Sequence, residues 1–223
     1  MTDTLQEYMK NQKAVIFDMD GVIVNSENLW KKAEKEVFTS VGVNVTDDHS
    51  ELTKSMTTSE VTRFWFSKFP WKDKSLILVE QMVISRVIEL IGIEDCKING
   101  VKIFIEGLKA KNYKIGLATN SPEKIIPTVL QLLDIKHLFD AVSSAEFEDS
   151  GKPDPAIYLT TAAKLNVATS NCIAIEDSYS GMLAAKNAGM TVVAFTNGNK
   201  DIDFEIADYK IDSFEHFNID TLN

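Results

Sequence analysis

Residues 13–27, KAVIFDMDGVIVNSE, place the tightest constraint on what this chain can fold into. Ala14-Val15-Ile16-Phe17 is a short unbroken apolar run of the kind that fills a parallel strand buried on both faces. It breaks directly into Asp18-Met19-Asp20-Gly21. A buried strand that ends in two carboxylates needs a partner, because unpaired charge out of water is very costly, and the natural partner is a cation. Gly21 lets the backbone turn sharply just beyond the pair. The rest of the sequence is read as serving this strand tip.

After Ser26 the apolar period changes from strand to helix. Leu29, Ala33, Val37 and Val41 recur at about one turn, with Trp30 and Phe38 alongside, and Gly42 stops the pattern. Residues 47–58 are polar and read as a loop. Val61, Phe64 and Trp65 begin a second helix that ends near Pro70. Leu76, Val79, Val83, Val87 and Leu90 make a third, ended by Gly92. The aromatic stripe Phe64, Trp65, Phe66, Phe69 and Trp71 is read as the core of this small helical unit. From Asn99 onward, strand and helix alternate. Helices are expected at 101–111, 125–133, 156–165 and 181–187. Strands are expected at 113–118, 141–144, 173–175 and 191–195, with 209–211 a short edge strand. That alternation predicts an α/β chain with a parallel sheet covered on both faces. Residues 1–26 and 96–223 would form the core, and residues 27–95 an all-helical insertion after the first strand.

Ligands of open α/β sheets bind at the carboxyl ends of the strands, so the strand tips locate the chemistry. The first tip carries Asp18 and Asp20. The second carries Thr119-Asn120-Ser121-Pro122, where Ser121 suits a helix N-cap, Pro122 the first helical position, and the helix start an anion. Next comes Gly151-Lys152-Pro153-Asp154-Pro155. Pro153 biases Lys152 towards an extended conformation, which would hold its ammonium on a fixed arm over the sheet edge. The last tip is Glu176-Asp177. Clustered carboxylates without His or Cys suit Mg²⁺, and a lysine with a hydroxyl suits a phosphate. Together they suit phosphoryl transfer, with a carboxylate as nucleophile. Taken singly each motif is weak, since D-x-D-G occurs in Asx turns and lysines are commonly solvated. Their joint placement at four strand ends carries the reading.

These residues, in this order, resemble the haloacid dehalogenase superfamily, and the helical insertion falls where that superfamily carries its C1-type cap. The pieces DMDGVIVNSE, GKPDPAIYLTTAAKLNV and IEDSYSGMLAAKNAGM are similar to the β-phosphoglucomutase-like subgroup. SENLWKKAEKEV, KFPW and SSAEF look most like its bacterial hexitol-phosphate/2-deoxyglucose-6-phosphate phosphatases. The resemblance implies a Rossmann-like core and a Mg²⁺-dependent phosphatase of small phosphorylated sugars or polyols. Asp18 would be nucleophile and metal ligand. Asp20 would be general acid and base, with its backbone carbonyl on Mg²⁺. Thr119, Asn120, Lys152 and the Gly21 turn would hold the phosphate. Asp177 would ligate Mg²⁺ directly, and Glu176 directly or through water. In the loop 52–59, LTKSMTTS, Ser55 and Thr57 stand where relatives often carry Gly and Arg, and Lys54 is its only cation and a candidate substrate contact. Val22 stands where many phosphatases carry Thr, which leaves a sugar-phosphate mutase open. Residues 22–27 would be the first hinge of the cap.

Composition narrows the alternatives. The chain has 223 residues, 44% hydrophobic, enough for a core domain and a smaller one. The net charge is −10 with no run of Lys and Arg, which argues against nucleic acid. Two cysteines, Cys96 and Cys172, form no CxxC and suit a reducing compartment. The first residues do not read as a signal peptide, and no apolar run reaches membrane length. A cytoplasmic monomer with no membrane or nucleic-acid partner is expected. His49, His137 and His216 sit in no motif. A phosphoryl-accepting signalling domain would be about half this length, and dehalogenation gains nothing from Asp20 or a metal.

Overall fold

The computed structural model describes residues 13–45, 53, 56–199 and 204–216. The run after Lys13 forms β1 (Ala14–Phe17), buried along its whole length. Among the described residues, α1 (Glu27–Ser40), α2 (Thr58–Lys68) and α3 (Leu76–Ile93) follow, with no strand of the sheet between them. The alternating half then runs α4 (Val101–Ala110), β2 (Lys114–Thr119), α5 (Ile126–Leu132), β3 (Ala141–Ser144), α6 (Ala156–Leu165), β4 (Cys172–Glu176), α7 (Tyr179–Asn187), β5 (Thr191–Phe195) and β6 (Tyr209–Ile211). The six strands form one sheet in the order β3-β2-β1-β4-β5-β6, every pair parallel. The fold class is the expected one, a Rossmann-like parallel sheet with flanking helices, and α1 to α3 are inserted after the first strand.

The period-two alternation of the strands sorts the core into two layers. Val15, Phe17, Ile115, Leu117, Ile173, Ile175, Val193 and Phe195 join one cluster together with α4, α5 and the inserted helices. Ala14, Ile16, Ala118, Cys172, Ala174, Val192 and Ala194 join the other, with α6 and α7. The second layer is built from smaller residues, so its helices come closer. A Cβ at Gly116 would lie 2.8 Å from Cγ2 of Thr161 on α6. This close approach brings the chain on either side of the α6 N-terminus up to the sheet.

Local chemistry explains the helix ends. Gly42, at φ +89°, closes α1: its N–H bonds the Thr39 carbonyl, and the Val43 N–H bonds that of Phe38. Thr57 and Glu60 form a reciprocal capping box at the start of α2. α3 does not end at Gly92 as its sequence suggests. It runs on to Ile93, held by buried Leu90 and Ile91 on its packed face, which outweighs the roughly 1 kcal/mol that a helical glycine costs.

The aromatic stripe is largely core, as expected. Trp65 and Trp71 are buried, with the Phe38 ring 5.9 Å and 6.2 Å from them, while Phe69 is exposed. The two segments joining the insertion to the sheet pair with each other, through a Val24–Lys97 bridge and an Asn25 N–H bond to the Cys96 carbonyl at 2.7 Å. Cys96 and Cys172 are buried and free, and His137 and His216 are exposed; His49 lies outside the described residues. Among the described residues no helix is long and apolar enough to cross a membrane. Because Phe38 ties α1 to both indoles, Phe38→Ala should lower stability by about 3–5 kcal/mol in urea unfolding followed by tryptophan fluorescence.

Candidate active site

Register and alternation decide which charges meet. Phe17 pairs with Leu117 on one side and Ile175 on the other, so Asp18, Ala118 and Glu176 come next, side by side. Asp18 and Glu176 follow the alternation of the layer covered by α6 and α7. The loop before α6 delivers Lys152 to that side. Its Nζ donates to Asp18 Oδ1 at 2.5 Å, Glu176 Oε1 at 2.6 Å and the Ala118 carbonyl at 2.9 Å, in a buried setting. The Lys152 N–H is held by Asn120 Oδ1 at 2.9 Å. From α6, the Tyr158 hydroxyl donates to Glu176 Oε1 at 2.5 Å, and its ring lies 5.1 Å from the ammonium. Ser178 donates to the other Glu176 oxygen at 3.2 Å.

Two glycines make room for the carboxylates of the last tip. A Cβ at Gly21, which has φ +79°, would fall 1.8 Å from Asp177 Oδ2. A Cβ at Gly181 would fall 2.0 Å from Glu176 Oε1. With this clearance Asp18, Glu176 and Asp177 bring carboxylate oxygens within 4.8 Å of one another. The electrostatics are lopsided. Burial pushes the Asp18 carboxyl well above its usual range, Lys152 opposes this, and the charges of Glu176, Asp177 and Asp20 add to it. Burial, then Glu176, lifts Asp177 to about 7. Desolvation would lower the Lys152 pKa, but Asp18 and Glu176 outweigh it and raise it. One ammonium does not neutralise four carboxylates. A compact, buried, all-oxygen donor set with surplus negative charge fits a hard divalent cation such as Mg²⁺.

Asp20 has different surroundings. Its Oδ1 accepts from the Ser26 hydroxyl at 2.5 Å and the Trp30 indole N–H at 2.9 Å. Its Oδ2 accepts from the Ser121 hydroxyl at 2.6 Å and lies 3.4 Å from that of Thr119. Here the sequence expectation fails: Ser121 caps no helix and Pro122 is not helical. The Ser121 hydroxyl is committed to Asp20, a short 3₁₀ turn (Glu123–Ile125) follows, and Pro127 occupies the first turn of α5. Ser26, at the N-cap of α1, likewise makes no cap bond with its side chain. Asp154, one residue before the Pro155 N-cap of α6, accepts from the Ala156 N–H at 2.9 Å.

The structure thus gathers Asp18, Asp20, Gly21, Thr119, Asn120, Lys152, Glu176 and Asp177 at one sheet edge, while Lys54 lies outside the described residues. Sequence reasoning did not single out Ser26, Ser121, Tyr158 or Gly181 as site residues, and it read Trp30 as part of a helix pattern. The one-turn spacing of Ser26 and Trp30, immediately after the first motif, was the signal available for those two.

Comparison with known proteins places this geometry in context. Residues 15–195 match the haloacid dehalogenase-like hydrolases. Hexitol phosphatase B of Escherichia coli (strain K12) is 38% identical, with 90% of this chain and 91% of that protein covered. Beta-phosphoglucomutase of Bacillus subtilis (strain 168) is 33% identical, with 83% and 84% covered. The crystal structure of beta-phosphoglucomutase from Clostridium difficile superimposes with a TM-score of 0.82 at 26% identity, covering 94% of each chain. With the strand-tip constellation carried on the same fold, the chain belongs to the haloacid dehalogenase-like hydrolases.

Proposed function

We propose that this protein is a Mg²⁺-dependent phosphatase of small sugar or sugar-alcohol phosphates, of the hexitol or 2-deoxyhexose 6-phosphate type, working through an aspartyl-phosphate on Asp18. The observation that carries the reading is Lys152 clamped between Asp18 and Glu176 beside Asp177, with a second, separately held carboxylate at Asp20. The 38% identity to a hexitol phosphatase supports the substrate class.

In this mechanism Asp18 attacks phosphorus, and the bond to the sugar oxygen breaks as Asp20 gives that oxygen a proton. Water then attacks the phosphoryl group while Asp20 takes its proton, which frees inorganic phosphate and restores the Asp18 carboxylate. Lys152, with Thr119, Asn120 and the Gly21 backbone, binds and orients the phosphoryl oxygens. Lys152 opposes the burial that favours the protonated Asp18 carboxyl, and so favours the ionised form that a nucleophile requires. Asp18, Asp177, Glu176 and the Asp20 carbonyl would hold Mg²⁺, which when bound neutralises charge on the carboxylates and the phosphoryl group. Residues 27–95 act as the cap over the core 1–26 and 96–223, and the paired segments at Val24 and Lys97 are its two connections.

A sugar-phosphate mutase is the second reading, supported by the 33% identity to a beta-phosphoglucomutase. The same Asp18 would then pass the phosphoryl group on to another sugar hydroxyl.

Phosphate release from a panel of hexose and hexitol phosphates tests the main reading. Activity should require Mg²⁺, disappear in EDTA and fall roughly 10³-fold or more in Asp18→Asn. Activity that survives either treatment overturns it, and isomerisation of a sugar 1-phosphate without phosphate release favours the mutase. The glycine behind Glu176 gives a separate check. Gly181→Ala should push the carboxylate aside, loosen Lys152 and lower turnover by about 100-fold, with weaker Mg²⁺ binding in calorimetry.

A further inference from the structure

One turn of α1 beyond the indole that touches Asp20 lies a carboxyl group that the proposed chemistry does not use. Trp30, Glu34 and Phe38 are spaced by four, so they form one stripe along the helix. The two ends of this stripe are fixed. Trp30 donates to Asp20 at 2.9 Å, and Phe38 is fully buried against Trp65 and Trp71. Glu34 therefore sits between the carboxylate that would meet the leaving oxygen and the aromatic core of the inserted helices, about 6 Å along the helix from each neighbour in the stripe.

Glu34 is half-buried, and among the described residues no ammonium, guanidinium, hydroxyl or N–H pairs with it. Burial alone holds its carboxyl up at about 7. Other acids on the same helix are served: Glu27 pairs with Lys31 at 2.8 Å, and Glu36 with Arg86 at 2.6 Å. A desolvated carboxyl with no donor lowers stability, and such groups persist where a ligand completes them.

We infer that Glu34 is a specificity residue that accepts hydrogen bonds from the hydroxyls of the substrate's carbon chain. This deepens the phosphatase reading and rests on it. A phosphate at Asp18 puts the ester oxygen near Asp20, and an extended polyol leaving that point along α1 reaches Glu34 next. Hydroxyl donors are what the carboxyl lacks, so the substrate class it selects is a polyhydroxylated chain rather than an aryl or short alkyl group. A site built to accept hydroxyl hydrogen bonds discriminates strongly against analogues without them.

The experiment compares Glu34→Leu and Glu34→Gln with the unaltered protein on a hexitol 6-phosphate and on p-nitrophenyl phosphate, in Mg²⁺. Glu34→Leu should lower kcat/KM for the hexitol phosphate roughly 10- to 100-fold, mainly through KM, and change that for p-nitrophenyl phosphate by less than about twofold. Glu34→Gln, which retains one acceptor oxygen, should recover part of the loss. Glu34→Leu should also raise the thermal midpoint, because it removes an unpaired carboxyl from a desolvated place. Equal losses on both substrates with a lower midpoint would make Glu34 structural, and unchanged kinetics on both would remove it from the substrate path. Either result overturns the inference while hydrolysis by the unaltered protein continues to support the phosphatase reading. If the unaltered protein hydrolyses neither ester, it is the phosphatase reading that has failed.

Discussion

A single buried ammonium, Lys152, is what the arrangement of the sheet edge depends on. Taking Lys152, Asp18 and Glu176 out of water is expensive, and their attraction offsets this only because every contact is short and the carbonyl of Ala118 accepts a further hydrogen bond from the ammonium. Removing one partner would leave an uncompensated buried charge. The pair of carboxylates must therefore be placed together, and parallel register with strand alternation achieves it. Asp18 and Glu176 follow strands whose Phe17 and Ile175 are paired, so both turn to the layer that α6 covers. The small residues of that layer, with Gly116 among them, let α6 approach closely enough for Tyr158 to reach Glu176.

The ion cluster leaves an imbalance that points towards function. Lys152 satisfies one oxygen each of Asp18 and Glu176, and Tyr158 and Ser178 supply neutral donors to Glu176. Asp177 receives no cation among the described residues, and its proton affinity rises with burial and with Glu176 beside it. A core selected for stability alone would not hold this much like charge at one place. Gly21 and Gly181 show that the crowding is accommodated by the backbone: each lacks the one atom that would collide with a carboxylate of the last strand tip.

The fold was legible because apolar runs and breakers coincide in this chain. β1 and α6 begin and end where the pattern changes, and the four strand tips already carried Asp18, Lys152 and Glu176-Asp177. What could not be read was long-range. Ser121 before Pro122 has the local chemistry of a helix start, yet an acceptor 101 residues earlier takes its hydroxyl. Tyr158 and Trp30 look like core positions because burial sets their periodicity, whereas the single polar atom of each side chain has its partner on a different element. Gly92 reads as a stop because propensity is local, but the packed face of α3 carries the helix past it.

Asp18 and Asp20 stand two residues apart and are held by different kinds of force. Asp18 is tied to a cation inside the sheet layer, an interaction that favours its ionised form. Asp20 is held by neutral donors from two bodies: Thr119 and Ser121 on the core, Ser26 and Trp30 at the entry to the insertion. Dipoles of this kind are directional, so they fix where the carboxylate points. Ser26 forgoes capping α1 to take part, which places orientation of Asp20 above local helix stability there, and the Ser121 hydroxyl is likewise committed to Asp20. Any displacement of α1 relative to the core must stretch one pair of these bonds against the other. Asp20 is thereby tied to α1 through Trp30, while Lys152 holds Asp18 at the sheet edge.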